Sequence, residues 1–187
     1  CFGENTLQGA MNKQPLLDAP SNEWHFIGHL QTNKARKVPA HFNWLHTLDS
    51  LKLARKLSES ALQADTTLNV LLQVNIASDP DKYGLDTQSV HAFADDLLAA
   101  KLAGIRLCGL MTIGRHAADP GETRASFAAL RELGDSCAAR FGVDHFRDLS
   151  MGMSNDFELA VAEGATMVRV GSAIFGPRPA SNDQTLK

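Results

Sequence analysis

The chain has 187 residues, 44% of them apolar, with 18 basic and 21 acidic side chains and a formal charge of −3. That supplies one sizeable core and excludes a disordered chain, which combines low hydrophobicity with high net charge. The weakly acidic balance offers no broad positive field for a nucleic acid, and no apolar run approaches the roughly 18 residues needed to span a bilayer.

The first residue is Cys1, and Phe2-Gly3-Glu4-Asn5 reads as the end of a strand. Trp24 to Gly28 is the first complete strand, followed by Asn43 to Leu48 and Asn69 to Ile76. Ile105 to Ile113, His145 to Met151 and Met167 to Gly171 complete the set. Between them, Leu51, Ala54, Leu57 and Ala61 step by three or four, as do Val90, Phe93, Ala94, Leu97 and Leu98. Phe127, Leu130, Leu133 and Cys137 do the same, so all three stretches are amphipathic helices. Asp119-Pro120-Gly121-Glu122 is a helix start, with an acidic N-cap and proline at the first position. Gly164 closes a helix ending near Val161. Strands apolar on both faces, alternating with helices, imply a parallel sheet under helices. Periodicity admits either an open doubly wound sheet or an eight-stranded barrel that lacks its first βα unit. In both, ligands bind at the carboxyl ends of the strands.

The polar residues of interest fall at those ends. Arg169 lies inside an apolar strand, where a lone charge is costly, and it needs an acceptor or an anion. Gly171 and Ser172 follow, where backbone N–H groups at a helix start would suit a phosphate. A structural arginine beside an ordinary turn fits that segment equally well. One unit earlier, Ser150, Gly152 and Ser154 sit in a second Gly/Ser loop, with Ser154 as a helix N-cap and Asp156 and Glu158 in the first turn. Either loop alone is explained by capping. Two such loops on the last two units match the place where βα barrels commonly hold phosphate. Gln73 and Asn75 share one strand face. Lys82-Tyr83-Gly84, with the chain's single tyrosine, is a solvated turn, and Lys34-Ala35-Arg36-Lys37 is a solvated helical face. His25 and His29 are four apart but straddle a strand-to-helix turn without a third ligand, so no metal site is assigned. Cys1, Cys108 and Cys137 are an odd, scattered set, which speaks against structural disulfides.

Four segments resemble the signatures of one family: Phe2-Gly3-Glu4-Asn5, Trp24 to Lys34, Ser150 to Glu158 and Gly164 to Gly176. It is the pyridoxal phosphate homeostasis protein family, and the resemblance runs in order over nearly the whole chain. It implies an α/β fold, the (β/α)₈ TIM-type barrel of the alanine racemase N-terminal domain, over residues 1–176, with 177–187 as a C-terminal tail. It also implies pyridoxal 5′-phosphate at the carboxyl face. The phosphate would lie against Ser150, Gly152, Ser154, Gly171 and Ser172, Arg169 would face the pyridine nitrogen, and Asn5 and Met111 would line the cofactor. The family's Schiff-base lysine belongs to a first strand upstream of Cys1, and none of the chain's lysines matches its motif. No catalytic residue is therefore assigned within 1–187, and the chain is read as lacking its first strand and helix.

The resulting expectation is a cytoplasmic, monomeric protein of vitamin B6 homeostasis. It would store, buffer or deliver pyridoxal phosphate, with pyridoxal-phosphate-dependent apoenzymes as recipients, without robust turnover and without nucleic-acid or membrane partners. The rival readings are an amino-acid racemase and a phosphosugar-binding barrel enzyme. A permanent cation at the pyridine nitrogen opposes the racemase, because it disfavours the protonation that makes the ring an electron sink.

Overall fold

The computed structural model describes residues 1–17, 19, 21–114 and 119–177. Its spine is one parallel sheet of seven strands in sequential order: β1 (Phe2–Glu4), β2 (Trp24–Phe26), β3 (Trp44–Leu48), β4 (Leu68–Gln73), β5 (Ile105–Met111), β6 (Asp148–Met153) and β7 (Met167–Arg169). Each strand pairs only with its sequence neighbours, the order of a barrel wall. A doubly wound sheet would instead reverse direction at a switch point. Strands β2, β4, β5 and β7 are shorter at their carboxyl ends than the apolar runs suggested, since Gly28, Ile76, Ile113 and Gly171 belong to loops, whereas β6 runs on past Met151 to Met153. His145 belongs to a 3₁₀ turn, Val143–His145, ahead of β6.

The helices are α1 (Leu7–Lys13), α2 (Leu51–Gln63), α3 (Val90–Ala99), α4 (Pro120–Phe141), α5 (Phe157–Ala162) and α6 (Ser172–Phe175). Asp119 caps α4 by accepting from the Gly121 and Glu122 N–H groups at 2.7 and 3.0 Å, and Gly164 turns with φ +93° after α5. The basic run lies in a 3₁₀ segment, Thr32–Lys37. The tail is an expectation that falls almost wholly outside the described residues.

Alternation along the strands splits the interior in two. Leu45, Val70, Leu72, Leu107, Leu110, Leu149 and Met151 face outward and pack under the helices, against residues such as Leu53, Leu57, Ala94, Phe127 and Leu130. Trp44, Leu71, Cys108 and Met111 form a separate inner cluster, joined by Met167. Fully burying a side chain of this size stabilises by about 1.5–3 kcal/mol, so the outer layer dominates the fold. The inner layer carries the polar residues. No helix among the described residues is long and apolar enough to cross a membrane.

Candidate functional site

Strand period places His25, His46, Ser150 and Arg169 on the inner face of four different strands, where they join into one chain of hydrogen bonds. The His25 Nδ1 and His46 Nε2 atoms are 2.9 Å apart, and His46 Nδ1 lies 2.8 Å from Ser150 Oγ. Arg169 Nη1 donates to Ser150 Oγ at 2.7 Å, and its Nη2 donates to the Thr112 carbonyl at 2.8 Å. The Thr112 hydroxyl donates in turn to the Val74 carbonyl at 2.8 Å. His25 stacks on Trp44 with ring planes 2° apart.

The electrostatics follow from burial. Burial pulls the His25 pKa down from 6.5 to about 4, against the opposing pull of Glu23. His46 is driven well below 6.5, first by burial and then by His25 and Arg169. Both rings are therefore neutral at pH 7. Burial also lowers the Arg169 pKa from 12.5 to about 10, with Asp156 opposing, so the guanidinium stays charged. Two of its five N–H donors are held; the others have no hydrogen-bond partner among the described residues.

Above this chain lie the loops after β6 and β7. Ser154 does not cap α5, whose N-cap is Asp156. Its Oγ reaches across to α6 and accepts from the Gly171 and Ala173 N–H groups at 3.1 and 3.3 Å. These N–H groups thus converge on one oxygen. The space beside Gly171 is open, with no heavy atom within 4 Å of an added Cβ. Gly152 turns with φ +89°, and a Cβ there would stand 2.5 Å from that of Ala160, so this glycine lets α5 close onto β6. A half-buried cation below, open backbone above and a converging N–H pair between suit a phosphorylated ring compound.

Of the eight expected residues, Ser150, Gly152, Ser154, Arg169, Gly171 and Ser172 fall on β6, β7 and the segments that follow them, Met111 lies beside Ser150 on β5, and Asn5 lies beyond β1. Ser150 is fully buried, and its hydroxyl bonds to His46 and accepts from Arg169. Met111, the register partner of Ser150, is fully buried in the inner cluster. Gly152 near the end of β6, Ser154 just after it, Gly171 after β7 and Ser172 at the start of α6 lie around the two strand ends, with Arg169 on β7. Asn5 stands apart, just beyond edge strand β1, where a Cβ at Gly28 would overlap its carbonyl. Asn75 is consumed locally, its amide donating to the Asp79 carbonyl at 2.7 Å. Lys82 Nζ donates to the Gly114 carbonyl at 2.8 Å. His25 and His29 do not converge, since His29 stacks on Tyr83 with ring centroids 3.6 Å apart. His46 escaped the sequence reading. Its only signal was a histidine two residues from Trp44 in a buried strand.

A seven-stranded parallel wall with helices outside and a cationic, amide-lined mouth at its carboxyl end defines a βα-barrel ligand-binding protein. The model of the alanine racemase N-terminal domain matches residues 1–179. A pyridoxal phosphate homeostasis protein of Pseudomonas aeruginosa is 46% identical over 178 residues, 95% of this chain and 74% of that protein. The protein of that name from Escherichia coli K12 is 40% identical over 181 residues, 95% of this chain and 75% of its own. Among solved structures, PipY of Synechococcus elongatus without PLP superposes with a TM-score of 0.87 at 41% identity, covering 94% of this chain and 81% of that one. PipY with PLP bound gives 0.85 at 40% identity and the same coverage. Alanine racemase from Corynebacterium glutamicum, at 20% identity and a TM-score of 0.68, shares the fold alone. The chain belongs to the alanine racemase N-terminal domain family and, within it, to the pyridoxal phosphate homeostasis proteins.

Proposed function

We propose that this protein binds pyridoxal 5′-phosphate at the carboxyl mouth of the barrel and serves intracellular vitamin B6 homeostasis by holding and releasing it, without robust turnover. The observation that carries this reading is Arg169, a cation near the carboxyl ends of the strands that is fixed by Ser150 and Thr112 through only two of its five N–H donors. The phosphate would lie against the loops of Gly152, Ser154, Gly171 and Ser172, with Asn5 on the far side and Met111 beneath. When bound, the cofactor supplies an aldehyde and an electron-accepting aromatic ring. Arg169 would donate to the ring nitrogen and, being a permanent cation, would oppose proton uptake there. His46 and Ser150 keep the guanidinium in place, and the neutral state of both histidines spares it a neighbouring like charge. Recipients would be apoenzymes that need the cofactor, and the setting would be the cytoplasm.

The test is absorption titration with pyridoxal phosphate, followed by α-proton exchange of alanine in heavy water. Tight binding with negligible exchange supports the carrier. Exchange at rates typical of enzymes, roughly 1–10³ s⁻¹, would replace it with a racemase, and no binding would remove both.

A further inference from the structure

At the other end of the hydrogen-bond chain, His25 Nε2 is a buried ring nitrogen with no partner among the described residues. The His25 side chain is more than nine-tenths buried, at 7% exposure. Its Nδ1 is turned toward β3 and held by His46, which leaves Nε2 for the side of β1. The parallel register sets Phe2 beside Trp24 and Gly3 beside His25, and the Phe2 N–H extends the ladder to the Glu23 carbonyl at 2.8 Å. Cys1 and Glu23 therefore precede the two strands on the same face as His25. Gly3, the register partner of His25, puts no side chain between them. A ring nitrogen of His25, Cys1 Sγ and a Glu23 carboxylate oxygen all lie within 4.8 Å of one another, and Cys1 Sγ to Glu23 Oε2 is 3.5 Å.

We infer that Cys1, Glu23 and His25 form a site for a borderline divalent cation of the zinc or cobalt kind. Tetrahedral bonds of about 2.0–2.3 Å put neighbouring ligand atoms roughly 3.3–3.8 Å apart, a spacing the Cys1–Glu23 pair already has. One thiolate and one imidazole disfavour magnesium and calcium, which seek oxygen. Cys1 and Glu23 are exposed, so the ion has a path in, and a water completes the fourth position. Binding breaks the thiol S–H bond, forms a metal–sulfur bond and releases that proton to solvent. His46 plays the part usual for a residue behind a ligating histidine, fixing the ring through its other nitrogen. A metal on Nε2 keeps the His25 proton on Nδ1, so His46 Nε2 must accept and His46 Nδ1–H must donate to Ser150. The foot of the barrel is thereby linked to the residue that holds Arg169.

The test uses reduced, chelator-treated full-length protein. One zinc per chain is expected in competition with a chromophoric chelator, with proton release. Cobalt substitution should give a near-ultraviolet thiolate charge-transfer band, and ¹⁵N spectra should show His46 shifted to the Nδ1–H tautomer. Cys1→Ser, Glu23→Gln and His25→Gln should each weaken zinc roughly 10-fold or more, as loss of groups at a metal site does, while the surface change His91→Gln should not. A cobalt spectrum without the thiolate band, or zinc affinity unchanged in Cys1→Ser and Glu23→Gln, overturns the inference. Both positions are exposed, so their replacement leaves the fold intact even if His25→Gln does not.

Discussion

The guanidinium of Arg169 is held by Ser150 of β6 and by the Thr112 carbonyl just after β5, and the loops above it present backbone N–H groups around Ser154. Removing Ser154 Oγ leaves the Gly171 and Ala173 N–H groups without that acceptor, and removing the Ser172 hydroxyl takes away a donor at the mouth. The double change Ser154→Ala/Ser172→Ala should weaken pyridoxal phosphate binding by roughly 10-fold or more, since a hydrogen bond to a charged group is worth about 1.5–3 kcal/mol. Absorption titration reads this directly, and an unchanged dissociation constant would remove both serines from the site. Lys82 offers a second check. Its amine donates to the Gly114 carbonyl and faces Asp79 at 3.9 Å, so it is poorly placed to attack an aldehyde. Borohydride reduction with excess pyridoxal phosphate followed by peptide mass spectrometry should give no one-to-one adduct on Lys82. At this scale the sequence exposed Arg169 and the Gly/Ser loops, because a charge in an apolar strand and paired small residues at strand ends are local anomalies. It hid His46. A histidine in a buried strand looks like core until register brings it to Ser150, 104 residues away.

The elements differ from their sequence pattern mainly at their ends, for definite reasons. Val74 and Ile76 continue an apolar run, yet β4 stops at Gln73 because the Asn75–Asp79 turn takes over the backbone. Helix α1 has no counterpart in the sequence reading, since Gly9 interrupts its period, although Thr6 caps it by accepting from the Gly9 N–H at 3.1 Å. Ser154 was legible as a cap but not as the cap of α6, since two helix starts lie within reach and only the folded loops choose between them. Where cap and helix are adjacent, the pattern was sufficient. Asp119 takes two N–H groups at the start of the longest helix, and Asp119→Ala should cost about 1 kcal/mol in urea unfolding. Gly152→Ala should cost more than that, because it combines a left-handed φ with a contact against Ala160. A loss smaller than that of Asp119→Ala would mean that the β6–α5 turn relaxes freely.

For the whole molecule, strand–helix alternation left an open sheet and a barrel equally possible. The sequential strand order decides between them, and that order is set by long-range pairing. The same sheet buries two neutral imidazoles on its inner face, with a consequence for the stability of the entire chain. In the unfolded protein His25 and His46 take up protons near pH 6.5. In the fold, burial holds His25 to about 4 and His46 well below 6.5. Folded pKa values below the unfolded ones mean that the unfolded state binds more protons as the solution is acidified. The contribution of the two rings is therefore complete above about pH 6.5 and is lost progressively as pH falls from there toward 4. Glu23 moderates the effect at His25, while Arg169 reinforces it at His46. Asp49, whose carboxyl burial pushes upward, works in the opposite direction. With about 1.4 kcal/mol per pKa unit, His25 alone should lose roughly 2 kcal/mol between pH 7 and pH 5, and His46 adds to that loss. Urea midpoints across this range, measured with a chelator present so that no cation contributes, should fall steadily. In His25→Gln/His46→Asn the starting stability should be lower and the slope between pH 7 and 5 much flatter. A double variant that keeps the full slope would place the acid sensitivity elsewhere in the barrel.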